Sequence, residues 1–170
     1  MKLLLRAKNW QMFSLITPGY FLLNFTIEFN PNLTIALKSI GFVLYFFWIL
    51  IVGHGLHDYL PPRVNLNYDF FVINFFIWTL SYIAILIISD GKGMTFHGYT
   101  ALAFLYVFFA FFYCIVYAAK TLKSIEKADK VDTGEFIGDF FLILFLPIGI
   151  WFLQPRINKI VNDDEQIKNQ

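Results

Sequence analysis

Two histidines and an aspartate are the residues of this chain whose types and spacing best suit chemistry. His54 and His57 are three positions apart at the end of an apolar run, so on a helix they share one face. Asp58 follows directly, and imidazole nitrogens and carboxylate oxygens bind metals or move protons near neutral pH. The spacing lacks the His-Glu-x-x-His pattern of metalloenzymes. Ordinary helix-end residues are therefore the preferred interpretation, without a resident metal or cofactor, and metal or proton handling is the alternative.

A second polar group surrounds the last apolar segment. Gln154 lies at the end of that segment, Arg156 and Asn158 follow it, and Glu135 and Asp139 precede or begin it. Polar residues directly after a broken helix can bind a protein partner or a lipid headgroup. An aspartate one turn inside a membrane segment is costly unless it is paired. We therefore expect these five residues to contact a partner or lipid.

The elements that position these residues are five long runs without a charged side chain. They are Asn9–Ile27, Ser39–His57, Phe70–Ser89, Gly98–Ala119 and Phe140–Pro155. About 20 helical residues cross a bilayer, and backbone amides in lipid must bond within the chain, so the runs should be helices. Hydrophobic residues make up 58% of the 170 residues and charged residues only 15%, which favours an integral membrane protein over a soluble one.

The sequence predicts an all-α membrane bundle in a single domain, residues 1–170. Its four transmembrane helices are expected at about 10–29, 37–57, 69–89 and 98–119, followed by a C-terminal membrane segment at about 136–154. Pro18-Gly19 predicts a kink in the first of these. The net charge of +1 gives no reason to expect binding to nucleic acid.

The fifth run is predicted to enter the membrane and return, or to lie in it as a short kinked helix. Pro147 should break the helix, Gly149 follows, and Pro155 should end the segment. If the tail returns, eleven Lys and Arg residues lie on one side of the membrane and two on the other. A fifth true span remains the alternative. Both arrangements place the N-terminus in the cytoplasm.

Two further patterns concern the fourth helix. Ala103, Ala110, Cys114 and Ala118 form a stripe of small residues that predicts helix packing, either inside the bundle or against a partner chain. Beyond Ala119 the pattern predicts two or three more helical turns, supported by a Glu126–Lys130 pair. Asp132-Thr133-Gly134-Glu135 then has the spacing of a capping box. Trp48 lies deep inside its run, so its indole N–H needs an acceptor.

The stretch Pro-Ile-Gly-Ile-Trp-Phe-Leu-Gln-Pro-Arg-Ile-Asn-Lys, residues 147–159, is distinctive. Together with Ala-Lys-Asn-Trp-Gln at residues 7–11 and Ala-Lys-Thr-Leu-Lys at residues 119–123, it resembles a group of small multi-pass membrane proteins of Bacteroidota. The resemblance implies a location in the bacterial inner membrane. It implies no activity and no functional residues.

These observations favour a non-enzymatic subunit or regulator of a larger membrane assembly. It would contact the lipid bilayer and either a membrane-protein partner or further copies of itself. The alternative is a homo-oligomeric channel or ion-handling protein that uses Glu28, Asn74 or the His54–Asp58 group. A membrane-embedded metalloenzyme is a third hypothesis.

Overall fold

A computed structural model describes residues 2–168, except for the side chains at positions 2, 165, 167 and 168, and over this range the chain is helical with short turns. This confirms the all-α class. A 3-10 turn, His57–Tyr59, follows the third helix. The helices are α1 (Lys2–Leu5), α2 (Asn9–Asn24), α3 (Pro31–Gly55), α4 (Tyr68–Ile88), α5 (Tyr99–Lys127), α6 (Thr133–Leu144) and α7 (Leu146–Lys168).

Three helices in the described part of the chain are long and apolar enough to cross a membrane. They are α3 with its 3-10 turn (Pro31–Tyr59), α4 and α5, of 29, 21 and 29 residues. Helix α4 agrees with the predicted segment 69–89 to within one residue at each end. The agreement is close because polar or charged loops bound its apolar run on both sides. Asn67 caps α4 by accepting the Phe70 amide at 3.0 Å.

Helix α2 is shorter than the predicted segment 10–29. It passes through Pro18 and ends at Asn24, whose side-chain amide donates to the Tyr20 carbonyl at 2.9 Å. Beyond it, the Thr34 hydroxyl accepts the Ile27 amide at 2.9 Å and donates to the Ile27 carbonyl at 3.1 Å. These side-chain bonds replace helical ones. With 16 residues α2 is about 24 Å long, against about 30 Å for the hydrocarbon layer.

Two glycines bring the backbones of α2 and α3 into contact. A Cβ atom on Gly41 would lie 2.7 Å from the Leu23 amide nitrogen and 2.8 Å from the Gly19 carbonyl oxygen. A Cβ on Gly19 would lie 2.9 Å from the Tyr45 nitrogen. Only glycine fits at such a crossing, so this pair fixes how the first two long helices pack.

The chain reverses direction between α6 and α7. A Cβ on Gly149 would lie 1.8 Å from the Leu142 carbonyl oxygen, and Arg156 contacts Asp139. One continuous helix would hold residues 139 and 156 about 25 Å apart, so these contacts require two antiparallel helices. We refer to Thr133–Lys168 as the α6–α7 hairpin.

The break in this hairpin lies at Phe145, two residues before the predicted break at Pro147. The amides of Ile148 and Gly149 both donate to the Phe145 carbonyl, at 3.0 and 2.9 Å. Pro147 occupies the first turn of α7, where a missing amide costs no helical bond. The prediction that Pro155 ends the segment was wrong, because α7 runs through it to Lys168. A proline removes one bond to the preceding turn, and contacts on both sides of it hold the helix.

The predicted extension of the fourth transmembrane run is confirmed. Helix α5 continues eight residues beyond Ala119, about two turns, and ends where Ala128 adopts a left-handed φ of 55°. The capping box at the start of α6 is also confirmed, and the Asp132 amide donates to a Glu135 carboxylate oxygen at 2.9 Å. The expected Glu126–Lys130 pair does not fit a helix that ends at Lys127.

Three residues of the small stripe pack inside the bundle. Ala110, Cys114 and Ala118 are fully buried. Ala103 is exposed, because the first part of α5 extends beyond the packed core, and its packing against a partner chain stays a prediction. Leu102 and Leu105 beside it are 63% and 60% exposed.

Candidate functional site

Polar side chains converge at one end of the bundle. There, the junction of α1 and α2, the 3-10 turn after α3, the end of α5 and the second half of α7 come together. We call this the charged end. The opposite end carries the α2–α3 turn and the α4–α5 loop, joined by a hydrogen bond of 2.7 Å from Lys38 Nζ to the Gly91 carbonyl.

Arg156 binds two carboxylates from two other helices. Its Nε and Nη2 donate to Glu126 Oε1 and Oε2 at 2.5 and 2.6 Å, and Nη1 and Nη2 donate to Asp139 Oδ1 and Oδ2 at 2.6 and 2.9 Å. The two paired carboxylates, Glu126 first, raise the pKa of Arg156. Lys123 lies 3.7 Å from Glu126 and balances the second negative charge. This Arg156 cluster (Glu126, Asp139 and Arg156) joins α5, α6 and α7.

Gln154 connects the last helix to the first residues of the chain. Its side chain is 1% exposed; Oε1 accepts the Trp48 indole N–H at 3.2 Å. Its amide nitrogen lies 3.1 Å from the Leu5 carbonyl and 3.0 Å from the Ala7 carbonyl, which also accepts from Asn158 Nδ2 at 3.2 Å. Carbonyls at the end of a helix lack partners within it, and Gln154 supplies one for α1. The indole acceptor that Trp48 requires is therefore present.

The two histidines bond to different tyrosines. Tyr68 Oη bonds to His54 Nδ1, and Tyr117 Oη bonds to His57 Nδ1 at 2.8 Å. The His57 ring also stacks on Tyr68, with 4.6 Å between centroids. Asp58 faces a cavity, and within the described range no three His, Cys, Asp or Glu side chains are placed to share a metal ion. The geometry here is that of two His–Tyr pairs, and metal handling by the histidines has no direct support.

Glu135 serves the start of α6. Its carboxylate binds Lys127 at 2.5 Å and accepts the Asp132 amide. The Lys127 hydrogen bond, followed by the Asp132 amide, lowers the pKa of Glu135. Glu135 therefore has contacts within the chain, and so do the other four residues of this group, Asp139, Gln154, Arg156 and Asn158. Contact of these five residues with a partner or lipid stays a prediction.

The residues named for an ion path lie apart. Asn74 is buried in α4, donates to the Phe70 carbonyl at 2.7 Å and accepts from Tyr106 Oη at 3.3 Å. Glu28 is exposed at the opposite end, beside Lys92. His54 belongs to the charged end. The structure does not bring these groups together within one chain, so a channel would need several copies and stays a prediction.

A cavity of about 640 Å³ opens at the charged end beside Arg156. We call it the charged cavity. Sequence reasoning identified Asp58 and Arg156 but not Glu126, because its partner is 30 residues away and no local spacing connects them. The charged cavity is lined by Asp58, Tyr59, Ile125, Glu126, Arg156, Lys159, Ile160, Asp163 and Asp164.

Comparison of the chain with protein-family models, with curated proteins and with solved structures finds no match.

Proposed function

We propose that this chain is a non-enzymatic component of a larger membrane assembly, a multi-pass protein of the bacterial inner membrane with both ends in the cytoplasm. Its charged cavity would receive a protein partner. The observation that carries this proposal is the Arg156 cluster: it closes the α6–α7 hairpin and sets α7 beside a cavity of mixed charge.

The α6–α7 hairpin supports the proposed orientation. Because α7 runs antiparallel to α6, it returns towards the end of the bundle at which α5 ends. With both ends in the cytoplasm, eleven of the thirteen Lys and Arg residues would lie on that side, the distribution expected for cytoplasmic loops. Three helices can cross the membrane by length and composition, and α2, α6 and α7 pack against them. With both ends on one side, α2 would cross as well.

The bonding of the polar groups supports a role without catalysis. A catalytic acid, base or nucleophile needs a free position towards its substrate. The Arg156 guanidinium is shared between two carboxylates from two other helices. The Cys114 thiol is fully buried, so a reagent or substrate in solution does not reach it. Groups held in this way suit the positioning of helices.

The lining of the charged cavity supports a protein partner. Ile125 and Ile160 supply apolar surface, and charges of both signs surround them, as at the core and rim of protein interfaces. Lys159 and Asp163, one helical turn apart on α7, provide opposite charges that fix the register of a complementary surface. The lining carries four carboxylates and two cations, and this excess of negative charge disfavours a small anionic substrate.

Photo-crosslinking tests the proposal. A photoreactive amino acid replaces Ile160 in the tagged full-length chain, and membranes of the native host are irradiated before solubilisation in mild detergent. We expect one protein adduct of defined mass, which also co-purifies in constant stoichiometry without irradiation. Lys159→Glu should reduce the adduct several-fold.

The matched control carries the same amino acid at Phe152, which is exposed and lies two turns earlier on α7. It should give lipid adducts only. Equal protein adducts from both positions, or only lipid adducts from Ile160, would refute the proposal.

A further inference from the structure

A second cavity, of about 290 Å³, lies between the α3–α4 loop, the end of α5 and the loop that enters α6. We call it the basic cavity, because two lysines and one aspartate are its charged residues. It shares no lining residue with the charged cavity. Its lining is Val64, Asn65, Leu66, Lys120, Ser124, Lys130, Val131 and Asp132.

Ser124 gives the basic cavity an unused hydrogen-bonding group. The residue is 0% exposed, and its hydroxyl is buried without a hydrogen-bond partner in the described part of the chain. A buried hydroxyl that bonds to nothing costs free energy, so such groups in folded proteins are usually satisfied. Ser124 lines the cavity, and a ligand oxygen there would provide the missing acceptor.

The charges of the basic cavity favour an anion. Lys120 and Lys130 form no ion pair with the described residues, whereas Lys123 and Lys127 on the same segment do. Asp132 also lines the cavity and is its one carboxylate, so the lining carries a net positive charge. The Lys120 ammonium lies 5.8 Å from the centroid of the Phe136 ring, which holds it beside α6.

We infer that the basic cavity binds a phosphate-bearing anion through Lys120, Lys130 and the Ser124 hydroxyl. Two ammonium groups and one hydroxyl donor are the groups that recognise phosphate oxygens. Its favoured source is the headgroup of an acidic phospholipid. Lys120 is the first charged residue after the apolar run Gly98–Ala119, which is the depth of the headgroup layer.

The neighbouring helix has the surface that the acyl chains of such a lipid require. Ile137 and Phe141, four residues apart on α6, are 42% and 51% exposed. Residues at this spacing share a face, and here that face is the exposed side of α6, opposite in burial to Phe136, which Lys120 contacts. The helix that begins at the basic cavity thus offers exposed apolar surface to acyl chains.

Binding to the purified, delipidated full chain tests the inference, with dioctanoyl phosphatidylglycerol, dioctanoyl phosphatidylcholine and inorganic phosphate as probes. Native mass spectrometry and the shift in melting temperature report binding. We expect phosphatidylglycerol to bind and phosphatidylcholine not to bind. Lys120→Gln and Lys130→Gln should each weaken binding about fivefold, and together about twenty-fivefold.

Ser124→Ala separates loss of binding from loss of folding. Removing a hydroxyl that bonds to nothing should leave the ligand-free melting temperature equal or higher, yet weaken phosphatidylglycerol binding about threefold. Lys92→Gln, at the opposite end of the bundle, is the matched control for charge and should bind as the unmodified chain does.

Two results distinguish the source of the phosphate. Binding of phosphatidylglycerol alone, sensitive to the lysine substitutions, supports a lipid site. Equal binding of inorganic phosphate with the same sensitivity supports the anion site with a soluble ligand. The inference is overturned if neither probe binds, if phosphatidylcholine binds equally, or if the double lysine variant retains full binding.

Discussion

Arg156 on α7 holds Asp139 on α6 through hydrogen bonds of 2.6 and 2.9 Å, although 17 residues separate them in the chain. The same guanidinium also binds Glu126 on α5, so a single side chain fixes the position of three helices. Burying the Asp139 carboxylate without a partner would cost free energy. Its pairing with Arg156 offsets that cost, so Asp139 is only 6% exposed in a largely apolar helix.

Breaking this pair should destabilise the chain. Asp139→Asn should lower the free energy of unfolding by about 2 kcal/mol, less than for a fully buried pair because Arg156 is partly exposed and keeps Glu126. Unfolding in a detergent–denaturant titration measures the change. Asp129→Asn, in the exposed loop after α5, is the control. A double-mutant cycle of Asp139→Asn with Arg156→Gln should show a coupling of about 1 kcal/mol or more; additive effects would contradict the assigned pairing.

Gln154 should matter more than its neighbours on α7. Gln154→Ala removes the acceptor of the Trp48 indole and the donor to the Leu5 and Ala7 carbonyls, at a cost of about 2–3 kcal/mol. Hydrogen exchange at the start of α2 should accelerate as the anchored segment loosens. Asn162→Ala, exposed on the same helix, should change neither quantity. Equal protection in both variants would show that Gln154 does not anchor the N-terminal residues.

Substituting alanine for glycine should change stability in opposite directions at Gly41 and Gly138. Gly41→Ala forces a Cβ to within 2.7 Å of the Leu23 backbone nitrogen, so α2 must move and stability should fall by about 2 kcal/mol. Gly138→Ala, on the open face of α6, meets nothing within 4 Å and should stabilise by about 0.5–1 kcal/mol through helix propensity. Thermal unfolding in detergent compares them. A harmless Gly41→Ala would mean that the two helices do not meet there.

Glu135 should make the free energy of unfolding depend on pH in the acidic range. Its folded pKa is lowered by Lys127 and by the Asp132 amide, so its contribution is present above the unfolded pKa and is lost as pH falls through the folded pKa. In Glu135→Gln the decline of stability on acidification should be shallower. Melting temperatures of both chains across the acidic range measure this. Because the pair is exposed, salt should weaken the effect; parallel curves for both chains would argue against it.

Thiol labelling tests the orientation, and buried Cys114 keeps the background low. In right-side-out inner-membrane vesicles, a membrane-impermeant maleimide should label Glu28→Cys and should not label Asn162→Cys. Inverted vesicles should give the reverse pattern. Labelling of Asn162→Cys from the outside would place the tail across the membrane and disprove the proposed layout.

Features with local causes could be predicted from the sequence. The bounds of α4 follow from a charge-free run, and the start of α6 follows from the four-residue capping box at Asp132. The end of α2 at Asn24 was missed, since hydropathy continues to Ile27, and the Thr34 hydroxyl that bonds Ile27 comes from the next helix.

The candidate site depended on distant contacts and was only partly predictable. Sequence reasoning recognised that Asp139 needed a partner and that Trp48 needed an acceptor. It could not select Arg156 or Gln154 for those roles, because α5, α6 and α7 come together only in the folded bundle. The two histidines do not lie on one α-helix, because α3 ends at Gly55 and His57 begins the 3-10 turn. Tyr68 from α4 and Tyr117 from α5 bond them separately.

The bonds from Gln154 to Leu5 and Ala7 have a consequence for biosynthesis. Because α1 is translated before α7, its packing against Gln154 is completed only after α7 has left the ribosome. Until then the Trp48 indole and the α1 carbonyls lack these partners, so a chain that stops before α7 is loosely packed around α1. A protease that cleaves loosely packed segments would therefore act on chains without α7 before it acts on chains that contain it.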